Sequence, residues 1–142
     1  MFPPELVIDD HPDPRDTDFL SEQIDTYNIA VTGIDDYRAL AILVRDADGQ
    51  IVAGVAGGSW AGYLEIKSLW VHERLRGQGL GRRLLQAAER EALARGCGQV
   101  LLDTHDFQAI EFYKRLGYLV FGELHGIGGR HTRYYLRKPL GE

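Results

Sequence analysis

The sequence predicts an α/β protein whose mixed, mostly antiparallel β-sheet is flanked by helices. Two observations carry this class: apolar residues recur with the strand period in some segments and the helix period in others, and hairpin patterns alternate with strand-to-helix crossovers. A doubly wound parallel sheet would show crossovers alone. At 142 residues and 16.0 kDa there is room for one domain, read as residues 1–142. With 44% hydrophobic and 26% charged residues, the composition excludes disordered, collagen-like and coiled-coil classes.

The elements follow in the order β-α-β-β-β-α-β-α-β-β. Glu5–Asp9 is an apolar run that reads as a first strand. Asp13-Pro14-Arg15-Asp16 supplies turn and N-cap chemistry for a helix through Phe19, Leu20, Ile24 and Tyr27, with Gly33 just past its end. Ala39–Arg45 and Ile51–Ala56 flank the turn Asp46-Ala47-Asp48-Gly49 and form a hairpin. Tyr63–Val71 is the next strand; strict alternation places Leu64, Ile66 and Trp70 on one face, and Glu65, Lys67, Leu69 and Val71 on the other. Leu80, Leu84, Leu85, Ala88 and Ala92 have helical spacing over Gly79–Arg95, and Gly96 suits a left-handed C-cap. Gln99–Asp103 is a strand, and Phe107–Leu116 a short helix with Ile110, Tyr113 and Leu116 on one stripe, closed by Gly117. Tyr118–Phe121 and Arg133–Arg137 pair as closing strands around the Gly-rich stretch His125–Gly129.

Charge is divided along the chain. Residues 1–50 hold twelve Asp/Glu against three Lys/Arg, whereas residues 51–142 hold nine against thirteen. Arg74, Arg76, Arg82, Arg83, Arg90 and Arg95 crowd one short span, which suits an anionic ligand. The acidic total argues against a nucleic-acid partner. No apolar run approaches the ~20 residues of a bilayer span, and Met1–Glu5 lacks a leader pattern. A cytoplasmic protein with no membrane partner is the expectation. Cys97 is the sole cysteine, which excludes an internal disulfide and reads as a small buried side chain. His11, His72, His105, His125 and His131 show no metal-ligand spacing, so no metal is expected.

The segment Val71-His-Glu-Arg-Leu-Arg76-Gly77-Gln78-Gly79-Leu80-Gly81-Arg82-Arg83 concentrates the chemistry: a strand, a turn with three glycines in five residues, then a helix. Such a turn lets backbone N–H groups approach an anion at the positive end of the helix, with Arg76, Arg82 and Arg83 as countercharge. A Walker A loop would need Gly-Lys-Ser/Thr where Gly81-Arg82-Arg83 stands. A dinucleotide fingerprint would need glycine or alanine at position 82 or 84, occupied by Arg82 and Leu84, although Asp103 lies at a suitable distance. Gly57-Gly-Ser59-Trp-Ala61 lacks the last glycine of a serine-hydrolase elbow.

Arg76-Gly-Gln-Gly79-Leu-Gly81 resembles the Arg/Gln-x-x-Gly-x-Gly/Ala signature of the GNAT superfamily of N-acetyltransferases, and Ala109-Ile-Glu-Phe-Tyr113-Lys-Arg-Leu-Gly117-Tyr118 resembles its closing Ala-x-x-Phe-Tyr element. The likeness extends over residues 38 to 138. It implies a GNAT-like fold and acetyl-CoA as co-substrate, with the pyrophosphate on the amides of Arg76, Gly77, Gln78, Gly79, Leu80 and Gly81, Arg82 beside it, and the pantetheine arm along Leu69 and Val71. Asp106 takes the place of the family's frequent asparagine beside that arm. Glu65 resembles the family's general base, which would take a proton from a primary amine on a small molecule or peptide. Tyr113 occupies the place of the general acid that protonates the leaving thiolate, and the Val71 N–H would polarise the thioester carbonyl. His105 and His125 are alternative bases. Direct attack in a ternary complex is the expected route; the alternative is a CoA-binding sensor or interaction module without turnover. The acidic N-terminal half suits a cationic acceptor, and the aromatic last strands, with Tyr134 and Tyr135, are the candidate surface for a homodimer.

Overall fold

A computed structural model describes residues 4–141 and divides the chain into two compact units, Met1–Asp35 and Asp36–Glu142. Met1–Pro3, part of the segment read above for a leader, lie outside the described residues. The first unit holds one helix, α1 (Pro14–Thr32). Asp13 caps it by accepting from the Arg15 N–H, Pro14 opens the first turn where its missing N–H costs nothing, and Gly33 closes it in a left-handed conformation. Glu5–Asp9 forms no strand, contrary to the sequence expectation. Strand-forming side chains need a neighbouring strand to take up their backbone groups, and none pairs with this segment.

The second unit contains β1 (Arg38–Arg45), β2 (Ile51–Trp60), β3 (Tyr63–Val71), a short 3₁₀ turn (Glu73–Leu75), α2 (Leu80–Ala94), β4 (Gln99–His105), α3 (Ile110–Arg115), β5 (Leu119–Ile127) and β6 (His131–Pro139). The six strands lie in the order β1-β2-β3-β4-β6-β5. All neighbours are antiparallel except β3 and β4, which run parallel because α2 crosses over between them. The expected mixed, mostly antiparallel sheet is therefore observed, with the predicted element order after the missing first strand. The closing strands are longer than expected, since β5 runs through much of the Gly-rich stretch. Strand β6 lies inside the sheet, so Tyr134 and Tyr135 are half-buried and not on an open edge.

One core cluster lies between the sheet and the helices of this unit. It joins Val55, Leu64 and Ile66 of the strands to Leu85 and Ala88 of α2 and to Tyr113 of α3, with Cys97 buried at its margin. The apolar stripe foreseen for α2 is the face that is buried.

The decisive irregularity is a β-bulge in β3. Ile66 pairs with Gly57 but Ser68 pairs with Ala56, leaving Lys67 as an extra residue. Directly paired residues share a face, so Leu64, Ile66, Leu69 and Val71 point toward the core side, opposite Ser59, Gly57, Val55 and Ala53. Glu65, Ser68 and Trp70 point to the other side, opposite Gly58, Ala56 and Gly54. The strict alternation expected from sequence is thereby corrected: the bulge reverses the phase, and Glu65 does not share a face with Leu69 and Val71. Gly57 permits this geometry, because a Cβ there would overlap the Glu65 carbonyl oxygen. Gly57→Ala is expected to destabilise the protein by about 1–3 kcal/mol through overpacking, read from urea unfolding midpoints; an unchanged midpoint would show that the backbone yields freely at this point.

Candidate active site

The parallel strands β3 and β4 pair only from Tyr63–Glu65 to Gln99–Leu101. Beyond that they diverge into a fork, and Glu65 is the last residue of β3 paired with β4. The diverging edges carry main-chain groups with no strand partner, the condition that an extended ligand can satisfy. The His72 N–H is spent on Val52 of β2 at 2.8 Å, so by strand alternation the preceding Val71 N–H points to the open side. The Val71 carbonyl is already taken, accepting from Arg76 Nε at 2.9 Å. This bond ties the turn after β3 back to the strand end.

That turn carries the glycines singled out above. Gly77 and Gly79 have φ of 77° and 80°, a region costly for any residue with a Cβ. Gly79 is the N-cap of α2, supplies no side-chain cap, and is followed by a first turn without an acidic residue. The first amides of α2 are therefore unspent at the positive end of the helix dipole. Arg82 and Arg83 stand in the same turn, where cations are electrostatically unfavourable unless an anion joins them. Phosphate fits these donors.

A groove of about 680 Å³ runs from the turn to the fork, between β3 and α3. Arg76, Gly77, Gly79, Gly81 and Arg82 line one end, and Phe112 and Tyr113 the other. Leu69, Val71 and Leu80 lie along it, whereas Gln78 is exposed at the turn and does not line it. A smaller cavity of about 290 Å³ occupies the fork itself, lined by Lys67, Ser68, Asp103, Thr104 and Gln108. Leu69, Ala109 and Tyr113 line both spaces, so the two meet at these side chains.

Tyr113 is buried at this junction, and its phenol is pushed above the ordinary range, first by burial and then by the negative charge of Asp103. Its ring meets that of Tyr118 edge-on at 5.8 Å. Tyr118 is in turn fixed by a 2.7 Å hydrogen bond to Glu89, which also holds Lys138 at 3.1 Å. Burial, followed by the Glu89 hydrogen bond, raises the Tyr118 phenol still further. The chain Lys138–Glu89–Tyr118 thus braces the wall behind Tyr113.

Glu65 stands half-buried at the vertex of the fork, on the face away from α2; it lines neither space itself, and the lining of the smaller cavity starts at the next residue, Ile66. Asp103, which sequence reasoning weighed only for a dinucleotide, lines the fork and is held by Arg133 through contacts of 3.1 and 3.0 Å. Its signal was visible only in space, since the acidic side chain faces the opening because β3 leaves β4.

Other candidates are placed elsewhere. Asp106 lines neither space: one carboxylate oxygen contacts His131 at 2.9 Å and the other accepts from the Thr132 N–H at 3.0 Å. Burial opposes ionisation of Asp106, yet the Thr132 amide and His131 outweigh it and lower its pKa. Its carboxylate is engaged with β6, which corrects the expectation that it faces the pantetheine arm. His105 meets Gln108 at 3.0 Å and stacks on Phe107, and His125 pairs with Glu123 at 3.1 Å; neither lines the groove or the fork. Arg95 leaves the arginine cluster altogether: it is half-buried, bonded to Glu91, Ser59 and the Arg38 and Ala39 carbonyls. No helix among the described residues is long and apolar enough to cross a membrane.

The profile of the acetyltransferase (GNAT) family matches residues 5–118. The chain is 33% identical over 133 residues to the acetyltransferase Atu2258 of Agrobacterium fabrum, covering 94% of this chain and 97% of that one. It is 41% identical over 93 residues to a blasticidin-S acetyltransferase of Streptomyces morookaense, covering 65% and 68%. The crystal structure of an acetyltransferase from Agrobacterium tumefaciens superposes with a TM-score of 0.90 at 32% identity, over 96% of this chain and 99% of that one. Together with the glycine turn and the forked strands, these findings make the chain a member of the GNAT family and an acetyl-CoA-dependent acetyltransferase.

Proposed function

We propose that the protein acetylates a primary amine, on a small molecule or a peptide, by direct attack within a ternary complex. The observation that carries this reading is the fork: Tyr113 and Leu69 line both the groove beside the phosphate-binding turn and the cavity between the strands. A donor laid along the groove therefore ends where an acceptor entering the fork would meet it. We read residues 1–142 as one acetyltransferase domain, supported by a family match that runs through both compact units.

Acetyl-CoA supplies a thioester whose C–S bond is exchanged for a C–N bond to the acceptor. The amides of the 76–81 turn and the guanidiniums of Arg76 and Arg82 hold the diphosphate, while the Val71 N–H, directed to the open side, donates toward the carbonyl oxygen. Glu65 accepts the proton lost by the amine, directly or through water. Asp103 is the weaker candidate for that role because Arg133 already occupies its carboxylate; it adds negative charge that favours a cationic amine in the fork. Tyr113 donates the proton that the departing thiolate takes up. Its raised pKa keeps the phenol protonated throughout the physiological range.

The similarity to a blasticidin-S acetyltransferase, and a cavity of about 290 Å³ at the fork, favour a small-molecule amine over a folded protein as acceptor. Following thiol release from acetyl-CoA over a panel of amines tests the reading. Tight CoA binding without release for any amine would favour the non-catalytic module.

Three variants separate the roles. Gly79→Glu places a strained, negatively charged residue in the turn and is expected to weaken CoA binding at least ~100-fold by calorimetry; unchanged affinity would remove the turn from the site. Tyr113→Phe is expected to lower kcat by ~10²-fold or more while KM for acetyl-CoA stays within error. With the wild-type phenol raised, the alkaline limb of kcat assigned to this acid lies above the ordinary value of about 10, and a limb at or below that value would belong to another group. Glu65→Gln is expected to slow turnover most at neutral pH. Its deficit should shrink as pH approaches the amine pKa of about 10.4, where the acceptor no longer needs a base; a deficit independent of pH would give Glu65 a structural role.

A further inference from the structure

We propose that Glu89 is a positioning residue for the reaction: through the Tyr118 hydroxyl it fixes where the Tyr113 phenol stands between the groove and the fork. The proposal rests on the reading of Tyr113 as proton donor. Glu89 lies on α2 with Leu84, Leu85, Ala88 and Ala92, and is the charged member of that helix's buried stripe. A carboxylate placed there gives up its hydration, and an apolar side chain would fill the same space at little or no cost in stability. What the carboxylate adds is direction. One oxygen accepts from the Tyr118 hydroxyl at 2.7 Å and the other from Lys138 Nζ at 3.1 Å.

Tyr113 needs such a hold. Helix α3 has only six residues, too few to be stable by itself, so contacts outside it set its position. The Tyr113 ring meets two others edge-on, Phe112 at 5.2 Å and Tyr118 at 5.8 Å. Phe112 is half-buried along the groove and carries no polar atom that could fix its ring. Tyr118 is buried and grips Tyr113 twice, by the ring contact and by an N–H that donates to the Tyr113 carbonyl at 3.0 Å. Lys138 closes the arrangement from β6: its ammonium lies 5.6 Å from the centre of the Tyr118 ring, and its stem passes Gly117, where a Cβ would stand 3.4 Å from the lysine Cε.

Glu89 thus joins α2, the turn between α3 and β5, and strand β6 at one point. Helix α2 is also the element whose first amides face the diphosphate in the proposed reading. The anchor of the acyl donor and the source of the proton are therefore referred to one rigid helix, and the spacing between them is set by a bond that neither ligand touches.

The test separates geometry from stability. Tyr118→Phe keeps the ring and removes the tether. The double variant Glu89→Leu, Tyr118→Phe makes both partners apolar and leaves neither unpaired, while Lys138, with 27% of its side chain exposed, can turn to water. Both variants are expected to keep the urea unfolding midpoint and the calorimetric affinity for CoA near wild type. Both are expected to lower kcat ~10-fold, measured with acetyl-CoA and the fastest amine of the panel. In a Tyr113→Phe background the same changes are expected to lower kcat less than ~2-fold, because a residue that acts through the phenol has nothing to act on once it is gone. A second readout needs no acceptor: with ζ-¹³C-tyrosine in the CoA-bound protein, the resonance identified as Tyr113 by its loss in Tyr113→Phe is expected to be single in the wild type and broadened or split in both variants. Wild-type kcat or an unchanged Tyr113 resonance in the double variant would overturn the proposal. So would a loss of kcat that persists in full without the Tyr113 hydroxyl, or one matched by an equal loss of CoA affinity. Wild-type kcat in Tyr113→Phe alone would instead overturn the reading of Tyr113 as proton donor, and the proposal with it.

Discussion

The structure depends on a failure of pairing. Parallel strands β3 and β4 begin in register at Tyr63 and Gln99 and stay together only to Glu65 and Leu101. A sheet gains from every ladder bond it closes, so strands that part midway must be held apart by something else and must leave their free groups to another partner. The bulge at Lys67 does the first, because an extra residue bends the strand and increases its local twist. Gly57 makes room for the displaced Glu65 carbonyl. The second is left to a ligand, which explains why the open edge of β3 lies directly before a turn built for an anion.

The turn and the strand end act as one unit. Arg76 spends its Nε on the Val71 carbonyl, fixing the distance between the first helix amides and the free Val71 N–H. The unfavourable placement of Arg82 and Arg83 at a helix N-terminus is the electrostatic counterpart of the left-handed glycines Gly77 and Gly79: in the proposed reading a diphosphate accounts for both. The same economy appears behind Tyr113, where a hydrogen-bonded chain from half-buried Lys138 to buried Tyr118 supports a phenol that lines both the groove and the fork.

Local chemistry was legible in the chain, and its three-dimensional consequences were less so. The N-cap at Asp13, the Asp46–Gly49 hairpin, the α2 stripe and the glycine turn follow from interactions within a few residues, so pattern reading reaches them. The bulge does not: the residue that makes room for it, Gly57, is on a different strand, and without it the alternation along β3 puts Glu65 on the wrong face. Arg95 and Asp106 were misplaced for a related reason. Their partners are carbonyls of β1 and groups of β6, far along the chain, and a charged side chain gives no local sign that such partners have claimed it. Glu5–Asp9 shows the converse case, strand-forming residues whose state is decided by whether an edge is available to them.

The bulge also separates the chemistry into two sides. Because it reverses the phase of β3, Leu69 and Val71 face the helices and the groove, whereas Glu65 and Ser68 face the opposite side of the sheet. A donor held on the helix side and an acceptor arriving from the other can then meet only where the strands have parted, with Tyr113 on the helix side and the carboxylates of Glu65 and Asp103 on the far side. In the proposed reaction the proton acceptor and the proton donor therefore approach from opposite faces of the sheet, and burial holds the Tyr113 phenol in its protonated form. An unbroken ladder between β3 and β4 would close the passage, and without the bulge the same residues would exchange sides.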